Sequence, residues 1–200
     1  MAKWFSLIMP VVVLFYQEND LSMTQIFWLK SVYSIGIVAF EIPSGYFADI
    51  WGRKKTLIAG TILTTIGFSF YGFSSHFWEF LIAELTLGIG QSFISGADSA
   101  MLYDSLKQDN NEKEYLKYEG RVISVGNFSE AIAGIIGGLL ATISLRTPYL
   151  GQIIVAAIAI PAALTLSEPQ NNSKRKSGLS DIINVLKTSL IVNVKLRNFI

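Results

Sequence analysis

The stretch "GYFADIWGRKK", residues 45–55, decides how the rest of the chain is read. It sets an acid, two glycines and three bases between two long apolar runs, with Glu41 just upstream. Around it the chain is 51% apolar and 16% charged over 200 residues, a balance that a soluble domain rarely reaches. The apolar residues gather in six nearly charge-free blocks: residues 4–16, 26–47, 57–73, 77–103, 122–145 and 149–166. A bilayer-spanning helix needs about 20 apolar residues, so most of these blocks predict a span, and the first is short. No small-residue cleavage site follows that first block in "LFYQEND", which argues against a secretory leader.

Lys and Arg collect on the cytoplasmic side of membrane proteins. With the N-terminus cytoplasmic, fourteen of the sixteen basic residues fall on that side, and only Lys30 and Arg146 fall on the other. The expected fold is therefore an all-α membrane protein: six transmembrane helices over residues 1–166, with both ends cytoplasmic. Residues 167–196 then form a cytoplasmic central loop that opens with the polar, basic "SEPQNNSKRKSG". Within it Ser180 caps an amphipathic helix with Ile182, Ile183, Leu186 and Leu190 on one face, lying on the inner membrane surface. Residues 197–200 read as the start of a truncated seventh span. Six spans and a long basic loop are the outline of half a two-part transporter. Its expected partners are membrane lipid and the missing C-terminal half, although no repeat relates the first three spans to the next three.

Composition also excludes. A formal net charge of +1 offers little to nucleic acid. No cysteine and a lone histidine, His76, leave no disulfide, no thiol catalysis and no His/Cys metal site. No nucleophile motif and no phosphate-binding loop occur, so neither an enzyme nor a cofactor is expected.

The opening stretch has its own physical logic. Gly45 lets a neighbouring helix approach closely. Asp49 ends the second span at the membrane surface, and Gly52 allows a tight turn. Arg53 and Lys54 hold the loop on the basic side and can pair with carboxylates at nearby helix ends. Enforcing topology is the plainer role open to Arg53, Lys54 and Lys55.

The pattern Gly45-x-x-x-Asp49-x-x-Gly52-Arg53-Lys54 resembles the signature loop of the major facilitator superfamily, in its usual place between the second and third spans. "EIPSGYFAD" and "SGADSAMLYDSL" are similar to bacterial drug-efflux members of that superfamily. The resemblance implies the N-terminal half of a secondary active transporter in a bacterial inner membrane. Such a protein moves small molecules by alternating access, here expected as proton-coupled efflux of amphipathic drugs. It also implies that the loop is a conformational latch whose Arg53 meets an acid near the inner end of the fourth span, Asp98 or Asp104. Antiporters of the family carry Gly-Pro-x-x-Gly-Gly on the fifth span; here Ala133 to Gly138 lacks the proline and the first glycine. The alternatives are a solute uptake carrier, or a six-span scaffold or truncated fragment that transports nothing.

Charges inside a bilayer are costly, so each needs a reason. Glu84, Gly88, Gln91, Ser95 and Asp98 recur at four- and three-residue steps, one narrow stripe on the fourth span. It reads either as a cavity wall or as helix–helix glue. On the fifth span Gly126, Glu130, Gly134 and Gly138 share a line, with Gly134 and Gly138 a close-packing face. Glu130 is placed to load and release a proton, or to make a structural hydrogen bond to Asn127. Glu41, just before the kinking Pro43, is a candidate for the cavity or the latch, and Lys30 is expected to snorkel toward water.

Overall fold

Ser22 opens the first long helix by exchanging hydrogen bonds with Gln25. The Ser22 backbone N–H donates to Gln25 Oε1 at 2.9 Å and the Gln25 N–H to Ser22 Oγ at 3.4 Å. The structure, a computed structural model, describes residues 4–169. Its helices are α1 (Val12–Glu18), α2 (Met23–Trp51), α3 (Arg53–Phe73), α4 (Phe77–Gln108), α5 (Tyr115–Ala141) and α6 (Thr147–Thr165). A single 3-10 turn, Glu112–Glu114, precedes α5, and no strand occurs among the described residues. Five helices, α2 to α6, are long and apolar enough to cross a membrane. The loop expected from residue 170 onward, its amphipathic helix and the start of a seventh span lie outside the described residues.

The first apolar block departs from the expected span. Only Val12–Glu18 is α-helical, and residues 5–11 run through bends and turns. Pro10 accounts for the break, because it has no N–H to donate and clashes with the preceding turn of a continuous helix. The irregular backbone is held by Gln152 on α6, which accepts from the Leu7 N–H at 2.8 Å and donates to the Phe5 carbonyl at 3.2 Å. At membrane depth such groups need a protein partner. Gln152→Leu would strand both, at a cost of about 1–3 kcal/mol. The expected readout is faster hydrogen exchange at residues 5–7; unchanged exchange there would show that Gln152 is not what holds them.

α2 passes into α3 through one residue. Gly52 has φ +98° and ψ 153°, a region that is essentially glycine's alone. A Cβ there would also stand 2.7 Å from Glu168 Oε1. Gly52→Ala is expected to cost about 1–3 kcal/mol and to lower the thermal midpoint in detergent. An unchanged midpoint would mean that the link relaxes freely.

α4 is the central helix, packed along α2 and α3, while α3 also packs on α6; α1 and α5 touch their neighbours less. Small residues bring these backbones together. A Cβ at Gly88 would lie 2.7 Å from the Tyr33 carbonyl oxygen and 3.4 Å from the Gly36 Cα. Gly90 faces Gly60 and Thr64 on α3 in the same way. The glycines expected to do this elsewhere do not: Gly45, Gly134 and Gly138 have nothing within 4 Å of a Cβ position. On α5 the close approaches are Gly126 against the Trp4 ring and Gly137 against the Leu7 backbone. Those two are eleven residues apart, about three turns, so they share a face. The N-terminal segment fills that face and leaves the neighbouring Gly134–Gly138 line bare.

At one end of the bundle Phe15, Tyr16, Tyr71, Phe80 and Tyr149 form a buried aromatic cluster. Phe15 and Tyr149 have centroids 4.0 Å apart, Tyr71 stacks on Tyr149 at 5.3 Å, and Phe80 stands edge-on to Phe15 and Tyr16. Arg146 closes over it, donating to the Gly72 carbonyl at 2.9 Å and to Asn19 Oδ1 at 3.2 Å, with its guanidinium 5.3 Å from the Phe15 ring centroid. Outward faces carry exposed Phe27, Val38, Phe128, Leu139 and Ile158.

Candidate functional site

A cavity of ≈ 680 Å³ lies among α2, α3, α4 and α6, with the N-terminal segment and part of α5 in its wall. That volume falls in the range of small-molecule sites. Most of the lining is apolar, including Ile8, Phe68, Leu87 and Ala156, and Lys30, Glu84, Gln91, Asp98 and Glu130 are set into it. α4 supplies three of these at seven-residue steps, about two turns each. The fourth-span stripe therefore does two jobs. Glu84, Gln91 and Asp98 line the cavity, and Gly88 presses on Gly36 of α2; Ser95 does neither, donating to the Ser92 carbonyl of its own helix.

Glu41 and Asn127 are exposed and absent from the lining. Asn127 stands about a hundred degrees round α5 from buried Gly126, and Glu130 only about forty. Glu41 lies about three turns along α2 from Lys30, and of the two only Lys30 lines the cavity.

Lys30 does not snorkel. Its Nζ lies 2.5 Å from Oε1 of Glu84, a carboxylate only 1% exposed. The Tyr16 hydroxyl donates to the same oxygen at 2.7 Å, and the Tyr16 and Tyr71 hydroxyls are hydrogen-bonded to each other. The ammonium also stands 5.3 Å from the Tyr16 ring centroid. A buried carboxylate without a partner is far costlier than a lysine drawn inward. The signal in the sequence was the pair of opposite charges on separate spans. Joining them requires the Gly36–Gly88 crossing, which no single-helix period reveals.

At the other end, Arg53 joins three elements. Its Nη2 is 2.8 Å from Asp49 Oδ1 on α2, and its Nε is 3.2 Å from Asp104 Oδ2 on α4. Of the two acids the sequence left open, Asp104 is paired with Arg53, while Asp98 lines the cavity. Sequence reasoning missed Glu168. Its carboxylate takes the backbone N–H of Arg53 at 2.7 Å and of Lys54 at 2.8 Å. The first N–H groups of a helix have no intrahelical acceptor, and the helix dipole favours an anion there. The segment after α6 is thus tied to the first turn of α3. Gly45 sits on α2 a turn before Asp49 and takes no part in these contacts.

Residues 4–198 match the model of a family described as the Major Facilitator Superfamily. The chain belongs to that superfamily. Among superfamily relatives, it is 31% identical over 153 residues to the vacuolar membrane amino acid uptake transporter fnx2 of Schizosaccharomyces pombe. That alignment covers 74% of this chain and 26% of the relative. Identity is 30% to the class H tetracycline resistance protein of Pasteurella multocida, over 80% of the chain and 39% of the relative. It is 27% to multidrug resistance protein 2 of Bacillus subtilis, over 80% and 38%. The chain thus spans well under half the length of these relatives. As a superfamily member with five long apolar helices, it is an integral membrane protein of a transporter family.

Proposed function

We propose that the chain is the N-terminal half of a secondary transporter that moves small molecules by alternating access, with proton-coupled efflux of amphipathic drugs as its activity. The observation that carries this reading is the cavity: a drug-sized, mostly apolar space with four acidic or basic side chains facing it. The names of the two bacterial relatives, for multidrug and tetracycline resistance, favour efflux. In this reading the bundle makes six crossings of a bacterial inner membrane with both ends cytoplasmic, the first crossing completed by the irregular residues 4–11. A second bundle closes the other side of the cavity. Glu130 and Glu84 exchange protons with it, and Gln91 contacts the solute.

The Arg53 joint is the inner latch. Asp49, Arg53 and Asp104 hold the α2–α3 link against α4 in one state and part in the other, with Gly52 as the pivot. Lys54 adds its backbone N–H through Glu168.

The test is proton-driven dye efflux in inverted membrane vesicles holding the chain together with its companion half. Dye accumulation that collapses with the proton gradient supports the reading; no gradient-dependent movement of any solute overturns it. The similarity to an amino acid uptake transporter favours a second reading, import of a small zwitterion. The same vesicles distinguish the two by the direction of net movement.

A further inference from the structure

The outward face of α5 carries an arrangement that neither the cavity nor the latch uses. Phe128, Ile135 and Leu139 are exposed and lie within about 40° of one another round the helix, on the side away from buried Gly126, Ala133 and Gly137. Lys117 and Arg121 continue that stripe beyond the apolar block, which begins at Val122. The two cations therefore stand at the level of the lipid headgroups, on the same side of α5 as the exposed apolar residues. They share one ring: Lys117 Nζ lies 5.8 Å and Arg121 Cζ 5.7 Å from the Tyr118 centroid. Glu114 pairs with Lys117 at 2.9 Å, while Arg121 makes no ion pair among the described residues. Locally the two cations are unfavourable, because like charges four residues apart repel and the helix dipole opposes cations in its first turns. Setting the chain's orientation calls for basic residues at this end, but not for a ring shared by two of them.

We propose that Lys117, Tyr118 and Arg121 form a binding site for the headgroup of an anionic phospholipid. The phosphate sits between the two cations, whose Cβ atoms are about 5–6 Å apart at this spacing. The guanidinium fork grips it, the ring holds both cations at the interface, and the acyl chains lie along Phe128 and Ile135. A zwitterionic lipid brings its own cation, which competes for the phosphate and leaves the site overcharged. Free phosphate has no chains to lay on the stripe, so the occupant is a lipid. The site lies at the Arg53 end, where the Ser99 hydroxyl on α4 donates to Glu119 on α5 at 3.2 Å. A bound lipid thus anchors α5 beside the helix that carries Asp104. The site does not depend on what the chain transports, only on its crossing a bilayer.

The test is native mass spectrometry of the full chain, released from micelles holding equal amounts of phosphatidylglycerol and phosphatidylcholine with the same acyl chains. Phosphatidylglycerol should be retained at least about tenfold better. Lys117→Ala and Arg121→Ala should each cut its retention about fivefold. Tyr118→Leu, which keeps every charge, should cut it about threefold. Lys55→Ala removes an exposed cation at the same end of the bundle and should change nothing. Thermal midpoints in detergent confirm that each variant is folded. A further measurement needs no variant: millimolar inorganic phosphate should leave the bound lipid in place. No preference for phosphatidylglycerol, or equal losses in Lys55→Ala and Arg121→Ala, overturns the site and leaves only diffuse surface charge. Displacement by phosphate overturns a lipid as the occupant. Retention lost in the presence of the companion half overturns it too, because the second bundle then covers this face. The carrier reading stands or falls separately, in the vesicle assay.

Discussion

Arg53→Ala is expected to cut transport by at least about tenfold while all the long helices still insert. The side chain is only 15% exposed and touches two carboxylates, Asp49 at 2.8 Å and Asp104 at 3.2 Å. Without it, the two acids at the same junction of α2, α3 and α4 repel with no cation between them. The stability cost is modest, since Asp49 is about half exposed and a pair of that kind contributes about 1 kcal/mol or less. Yet the barrier between two conformations need shift by only about 1.4 kcal/mol to change a rate tenfold. Asp104→Asn should reproduce most of the loss, and Asp98→Asn should leave this joint intact. The measurement is dye transport in vesicles, with insertion checked by labelling single cysteines placed in a chain that has none of its own. Full transport by both Arg53→Ala and Asp104→Asn would end the latch proposal.

Gly88→Val should be the most damaging change to the fold itself. A Cβ alone would come within 2.7 Å of the Tyr33 carbonyl, and that neighbour is backbone, not a flexible side chain. Valine adds two methyl groups beyond it, so α2 must move off α4. Overpacking costs about 1–3 kcal/mol, and the upper end applies because Glu84, one turn away on α4, also loses its register with Lys30. The expected results are a clear fall in the thermal midpoint and loss of the Lys30–Glu84 pairing. Gly134→Val and Gly138→Val provide the contrast, since nothing lies near either position and both should unfold close to the parent. Equal midpoints for all three variants would mean that the α2–α4 crossing adjusts without cost.

These contrasts show what the sequence made legible. Five long helices follow from nearly charge-free blocks between polar turns, because each helix needs only local hydrogen bonds and an apolar surface. The motif at Gly45–Lys54 pointed to the family for a related reason: its spacing is local. What escaped was set by contacts between helices. A four-residue line from Gly126 to Gly138 marked a groove on α5, yet the chain fills only its Gly126 end and the adjacent Gly137, since a groove does not specify its occupant. Lys30 looked like a surface lysine until α2 and α4 crossed. Asp98 and Asp104 were equivalent on paper because a six-residue offset on α4 matters only once α3 is in place. Glu168 was a lone acid in a linker, with no periodicity to single it out. Pro10 lies inside the thirteen-residue block 4–16, and its missing N–H breaks a helix that apolar composition alone would extend.

The two ends of the bundle are joined by different chemistries, so they answer to different variables. Ionic strength acts at the Arg53 end, where half-exposed charges are screened. It has little purchase on stacked rings and buried hydroxyls. Packed helices in lipid are held by dispersion and hydrogen bonds, neither of which salt screens. Raising the salt therefore loosens the Arg53 pole alone, a way to bias which pole opens without altering a single residue.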